Sequence, residues 1–305
     1  MANPSWSHRR PGIAWAAASA LMSAAFVVPW KLASGGEDEA TAVFVLLLSA
    51  AVLNTAALPL FPRGGERWSP TSIRLALMLA LLTFVGNVAS AAAIARISAP
   101  LLSVLQRSEV LVVALVAWAF LGERPRALFW AGCTIAGAGL WWMHGGRADL
   151  DFEGVVFGLL SSVAFGAMLV AVRHAAATID TAFVNALRLW LSIGIWFLVH
   201  QRVPDLLAAD GAILLYGSLT GLLGPFLGRL FSMNSSRTLE ARYTALLLLG
   251  APALTLPLAW FFLGTIPSSA ELEGAGLMLA GISLPVLGAA RQDRDPASPA
   301  LRPRS

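Results

Sequence analysis

Four ionisable residues stand deep inside long apolar stretches of this 305-residue chain: Arg107, Glu109, Arg188 and Arg229. A charge at the centre of a bilayer-spanning helix costs about 2.5–3.5 kcal/mol on insertion scales, so each such group needs a partner or a function. Arg107 and Glu109 are two residues apart, a spacing that turns them to different faces of a regular helix and keeps them from pairing. Gln106 and Glu109, three apart, share a face. Two readings of Glu109 stand open: a cavity-lining carboxylate that couples a proton or holds a cationic group, or a structural partner of Arg188 or Arg229. Arg188 lies near the cytoplasmic end of its stretch, within snorkelling distance of the interface. Three guanidiniums against one carboxylate favour a solute with a carboxylate, phosphate or other anionic group, provided that the four reach one cavity.

Other chemistries lack their residues. His8, His144, His174 and His200 have no metal-ligand spacing, and neither a phosphate-binding Gly-x-x-x-x-Gly-Lys-Ser/Thr loop nor a Gly-x-Ser-x-Gly elbow occurs. The single Cys133 gives no disulfide framework. The expectation is a chain with no enzymatic activity, cofactor or metal, and any transport driven by an ion or solute gradient. The net charge of +4 is scattered singly through loops and tails, which argues against a nucleic-acid partner.

The elements that position these residues follow from hydropathy. Hydrophobic residues make up 57% of the chain and charged residues 12%, against roughly 25% charge in a soluble domain. Apolar runs fall at 12–31, 40–61, 72–95, 98–121, 127–144, 154–172, 181–200, 211–234, 240–263 and 272–290. Each is about the 20 residues that a helix needs to cross the hydrocarbon, and in lipid only a helix satisfies its own backbone at this length. The expected fold is an all-α integral membrane protein of ten transmembrane helices, with the lipid bilayer as its environment. Of the 21 Lys and Arg, three are the intramembrane arginines; fourteen of the rest fall on one side and only Lys31, Arg96, Arg147 and Arg202 on the other. That asymmetry places both termini in the cytoplasm of a plasma (bacterial inner) membrane protein. The charge-, Pro- and Ser-rich segment 291–305 is expected to be a disordered cytoplasmic tail.

The chain repeats itself at an offset of 142 residues. Ala117-Trp118-Ala119-Phe120-Leu121-Gly122 lies over Ala259-Trp260-Phe261-Phe262-Leu263-Gly264, Gly132 over Gly274, and Gly139 over Gly281. Phe84, Gly86 and Ser90 lie over Phe226, Gly228 and Ser232, which sets Asn87 over Arg229. Five helices per half is an odd number, so the second half starts on the opposite side of the bilayer. The halves are therefore inverted repeats, 12–144 and 154–289, an architecture common among secondary transporters. Under the pseudo-two-fold axis, Asn87 and Arg229 are expected to border one central cavity. Gly217, Gly221, Gly224 and Gly228, and likewise Gly154 and Gly158, form small-residue faces suited to close helix packing. Trp30, with Trp15 and Phe26, is placed either in the core or along a solute path.

Ser98-Ala99-Pro100, Gln106-Arg107-Ser108-Glu109 and Ala117-Trp118-Ala119-Phe120-Leu121-Gly122-Glu123-Arg124 together resemble the signature of the EamA family, in the drug/metabolite transporter superfamily. Many relatives carry Glu-Pro where this chain has Glu109-Val110, so proline does not kink the fourth helix here. The resemblance implies two five-helix units and a small-molecule metabolite as partner, moved by alternating access. It leaves a lipid or lipid-linked sugar flippase as the alternative within transport, and a membrane-embedded enzyme or scaffold outside it.

Overall fold

The computed structural model describes residues 6–35, 38–60, 67–112, 115, 127–145, 151–175, 179–238 and 247–292. The Gly122-Glu123-Arg124 end of the fourth predicted helix and the tail beyond residue 292 lie outside the described residues. The elements are α1 (Trp6–Ala25), α2 (Val27–Ser34), α3 (Glu39–Ala57), α4 (Pro70–Arg96), α5 (Ala99–Arg107), α6 (Ala127–Gly145), α7 (Phe152–Ala175) and α8 (Thr181–His200). After these come α9 (Gly211–Gly221), a π-helical stretch (Leu222–Gly228), α10 (Arg229–Thr238), α11 (Ala251–Leu263) and α12 (Ser269–Gln292). Six stretches are long and apolar enough to span a membrane: Pro11–Ser34, Glu39–Leu60, Pro70–Arg96, Phe152–Val172, Thr181–His200 and Gly211–Ser232. Ala127–Trp142 and Ala251–Leu263 are shorter apolar helices.

Helix starts follow local chemistry. Asp38, Ser69, Ser98 and Asp180 each accept a hydrogen bond from a backbone N–H in the first turn of the helix that follows, which satisfies a donor with no intrahelical partner. Pro70 and Pro100 occupy first-turn positions, where no N–H is needed.

Three predicted helices are interrupted. The first breaks at Phe26 into α1 and α2, because Pro29 has no N–H to donate to Ala25 four residues back. The eighth passes through the π stretch at Pro225, where the Arg229 N–H reaches back five residues to the Gly224 carbonyl. The fourth breaks at Ser108 although no proline is present there.

Packing between the halves is reciprocal. α4 lies against α7, and its repeat equivalent, α9 through α10, has α10 against α1; α4 also meets α8, and α9 meets α3. α6 and α12, each the last helix of its half, form an extensive contact. A Cβ built on Gly139 would lie 2.6 Å from the Gly274 carbonyl oxygen, and one on Gly281 would lie 2.6 Å from that of Gly132. Gly139 pairs with Gly281 and Gly132 with Gly274 at the 142-residue offset, so each contact is the other's image. The positions run in opposite directions along the two helices, so α6 and α12 are antiparallel. Backbones this close leave no room for a side chain.

Candidate functional site

A polar chain crosses the core between α2, α4, α5 and α7. Trp30, 1% exposed, donates its Nε1 proton to Ser90 Oγ at 3.0 Å. Gln106 Nε2 donates to the same oxygen at 3.3 Å, and Ser162 Oγ donates to the Gln106 carbonyl at 3.3 Å. Trp30 is therefore a core residue with its single polar atom satisfied, as a buried indole requires. The carbonyl of Gln106 is open to Ser162 because the helix ends one residue later. Beside this chain the Lys31 ammonium donates to the carbonyls of Ile94, Ala95 and Ile97, around the C-terminal end of α4.

The break at Ser108 overturns the expectation that Arg107 and Glu109 point apart. The Arg107 guanidinium lies 3.4 Å from the Glu109 carboxylate. α5 ends at Arg107, the Ser108 N–H bonds back to Leu105, and Leu111 and Val112 bond to Ser108. The turn between two helical segments brings together side chains that a continuous helix would splay. Arg107 remains under-satisfied, since its buried Nε has no hydrogen-bond partner.

Arg188 does not snorkel. It is 4% exposed on α8 and donates Nε to Asn185 Oδ1 at 2.9 Å and a terminal nitrogen to Thr83 Oγ1 at 2.8 Å, with Met168 Sδ alongside. Asn185 donates in turn to Asn54 Oδ1 at 2.8 Å. Asn87, buried on α4, donates to the Thr83 carbonyl at 2.7 Å and so borders the same cluster. These hydrogen bonds hold Arg188 inside the bundle. Arg229, part-exposed at the start of α10, lies close enough to Arg188 for their charges to repel, and close enough to Glu109 to be attracted by it.

Of the four intramembrane charges, Arg107 and Glu109 form an ion pair within the N-terminal half, and Arg188 and Arg229 come from the C-terminal half. Thr83, Asn54, Asn185 and Ser162 were not singled out from sequence. Asn185 had a usable signal, because it precedes Arg188 by three residues on one helix face. Asn54, Thr83 and Ser162 look like ordinary small polar residues until the helices are assembled. Among the described residues no cluster of His, Cys, Asp and Glu could hold a metal ion.

Gly154 and Gly158 sit where α7 crosses the α4–α5 corner: a Cβ on Gly154 would lie 2.7 Å from Ile97 Cγ2, and one on Gly158 2.8 Å from Leu105 Cδ1. On the other side of the bundle, Cβ atoms on Gly217 and Gly224 would lie 3.0 Å from Val45 and 3.2 Å from Phe26.

A duplicated all-helical bundle with charged side chains inside the apolar helices of both halves has the form of a membrane transport protein. The EamA-like transporter family model matches residues 10–144 and again residues 152–287, and the chain belongs to that family. Transport of a solute across a membrane is the activity that goes with it. A solved structure titled only "Crystal structure of protein" has 18% sequence identity and a TM-score of 0.62, covering 93% of this chain and 99% of its own, and shares the fold. No curated protein matches the sequence.

Proposed function

We propose that the chain is a secondary transporter that moves a small organic solute, an amino acid or another metabolite, across the plasma membrane by alternating access. It does so with ten spans in two inverted halves, both termini cytoplasmic. The observation that carries this reading is the match of the EamA-like transporter family to both halves, which meet through the reciprocal glycine contacts of α6 and α12. Two related halves that pack reciprocally can exchange conformations and so open one site to each side in turn. Glu109 is then the group that links the solute to the two states, either as a coupling carboxylate or as the internal counter-charge of Arg107 and Arg229.

One feature favours a lipid substrate instead. A groove of about 520 Å³ opens between α3 and α9, lined by Val45, Leu48, Val52, Leu214 and Leu219 among others. It holds two serines, Ser49 and Ser218, and no charged residue, so it suits an acyl chain better than a headgroup, and the solute reading stands first.

The experiment is a thermal-shift screen of metabolites on the purified protein, followed by uptake into proteoliposomes with and without a pH gradient. Saturable uptake of a stabilising solute is the expected result. Full pH-driven uptake by Glu109→Gln would remove the coupling role, and lipid scrambling without solute uptake would make the flippase the answer.

A further inference from the structure

Resting on the transporter reading, we infer that α3 and α8 form a fixed seam between the two halves, fastened at its ends by the ion pairs Asp38–Arg202 and Asp180–Arg67. The chain opens to either side by bending its interrupted helices against this seam, and the halves do not part along it.

Asp38 and Asp180 occupy the same position of the two repeats, 142 residues apart, each just before the second helix of its half. Each carboxylate has two partners. It caps its own helix, Asp38 accepting from the Thr41 N–H at 3.1 Å and Asp180 from the Phe183 N–H at 3.1 Å. It also receives a guanidinium from the other half: Arg202 donates to Asp38 at 2.7 Å, and Arg67 to Asp180 at 2.8 Å. The arginines are not repeat equivalents, since the offset sets Leu60 against Arg202 and Ala209 against Arg67. Both come from the connection between the second and third helices of a half, so each half fastens the other by the same plan with a different loop position.

Between these ends the seam is closed by polar contacts. Trp196 Nε1 donates to the Ala40 carbonyl at 2.9 Å, Trp190 Nε1 to Thr55 Oγ1 at 3.0 Å, and Asn185 to Asn54 Oδ1 at 2.8 Å. The start of α3 therefore meets the end of α8, and the two helices run antiparallel. The 19 residues of α3 span about 28 Å, near the thickness of the hydrocarbon, which puts one ion pair at each membrane face.

Parting this seam is unfavourable. Asp180 is 2% exposed and Trp196 is fully buried; separation strands a carboxylate without its counter-charge and an indole N–H without its acceptor. The interruptions lie elsewhere. α3 and α8 are continuous, whereas the breaks at Phe26 and Ser108 and the π-helical stretch Leu222–Gly228 fall in other helices. Helices bend at such places.

The test measures distances between paired spin labels on the full chain in nanodiscs, at neutral and acidic pH, after Cys133→Ala removes the native thiol. One pair spans the seam, Ala56→Cys on α3 with Leu198→Cys on α8. The other lies outside it, Leu32→Cys on α2 with Phe262→Cys on α11; all four positions are exposed. The seam pair should give one narrow distance under both conditions, and the α2–α11 pair two distances or a shift. Arg67→Gln should lower the melting temperature more than Arg202→Gln, because Asp180 is buried and Asp38 half-exposed. The double glutamine variant should cost the seam pair its single distance; if it does not fold, each single variant is measured the same way.

Two seam distances in the otherwise unchanged chain, with a mobile α2–α11 pair, would overturn the seam and leave transport by alternating access standing. A seam distance that stays single and narrow in the arginine variants would show that the ion pairs do not fasten it, and would also overturn the inference. A single, unshifted α2–α11 distance would take away alternating access itself, and the seam's role with it.

Discussion

Ser19 on α1 donates its hydroxyl to the Gly228 carbonyl at 3.0 Å, whereas Ser161 on α7, its equivalent 142 residues on, is fully buried with no hydrogen-bond partner. The image of the Ser19–Gly228 bond would run from Ser161 to Gly86. That bond is missing in a bundle whose glycine contacts at α6 and α12 are reciprocal. The halves thus obey their two-fold relation at one interface and break it at another.

An asymmetry of this kind is what alternating access requires of any one state, since the opposite state exchanges the roles of the halves. Ser19→Ala should therefore destabilise the state described here by about 0.6–2 kcal/mol, the range for interhelical hydrogen bonds in membranes. Ser161→Ala should leave the melting temperature level or slightly higher, because it deletes an unpaired buried hydroxyl, yet slow uptake by weakening the opposite state. Melting curves and proteoliposome uptake on both variants decide it; equal effects on stability would refute the asymmetry.

The sequence carried the six long apolar spans and the repeat, since each depends on residue type and spacing alone. It did not carry the helix break at Ser108. No proline or glycine marks that site, and the break is held by contacts with other helices, Ser162 to the Gln106 carbonyl among them. From that one unseen turn came the mistaken separation of Arg107 and Glu109. Arg188 was misjudged for a related reason: its distance from the helix end suggested snorkelling, while Thr83 and Asn185, which hold it inside, are near only in the folded bundle. The Pro29 and Pro225 distortions were legible, because a missing N–H acts locally.

The glycines divide sharply by environment. A Cβ on Gly221 would fall 2.1 Å from Ser49 Oγ and 2.7 Å from the Leu46 carbonyl, whereas one on Gly194 meets nothing within 4 Å. The serine can rotate away, but the backbone carbonyl cannot. Gly221→Ala should force α9 off α3 and cost about 1–3 kcal/mol, as overpacking does. Gly194→Ala should be neutral or stabilise by up to about 1 kcal/mol through helix propensity. Thermal melts of the two variants in the same detergent separate these outcomes, and a Gly221→Ala protein as stable as wild type would show that the α3–α9 contact is not tight.

The shared use of Glu109 makes the ion-pair residues unequal. Removing Arg107 leaves Glu109 with Arg229, but removing Glu109 leaves Arg107 and Arg229 both without their carboxylate. Losing one partner of a buried pair costs about 3–5 kcal/mol; these side chains are 10% and 25% exposed, which moves the expectation to the lower end. Glu109→Gln should therefore destabilise the protein more than Arg107→Gln, and the double variant should cost less than the two singles added together by more than about 0.5 kcal/mol, the usual limit of additivity. Denaturant titrations of the three variants measure both quantities. Additive losses would mean that the 3.4 Å approach contributes no coupling, and a larger loss from Arg107→Gln would mean that Arg229 does not depend on Glu109.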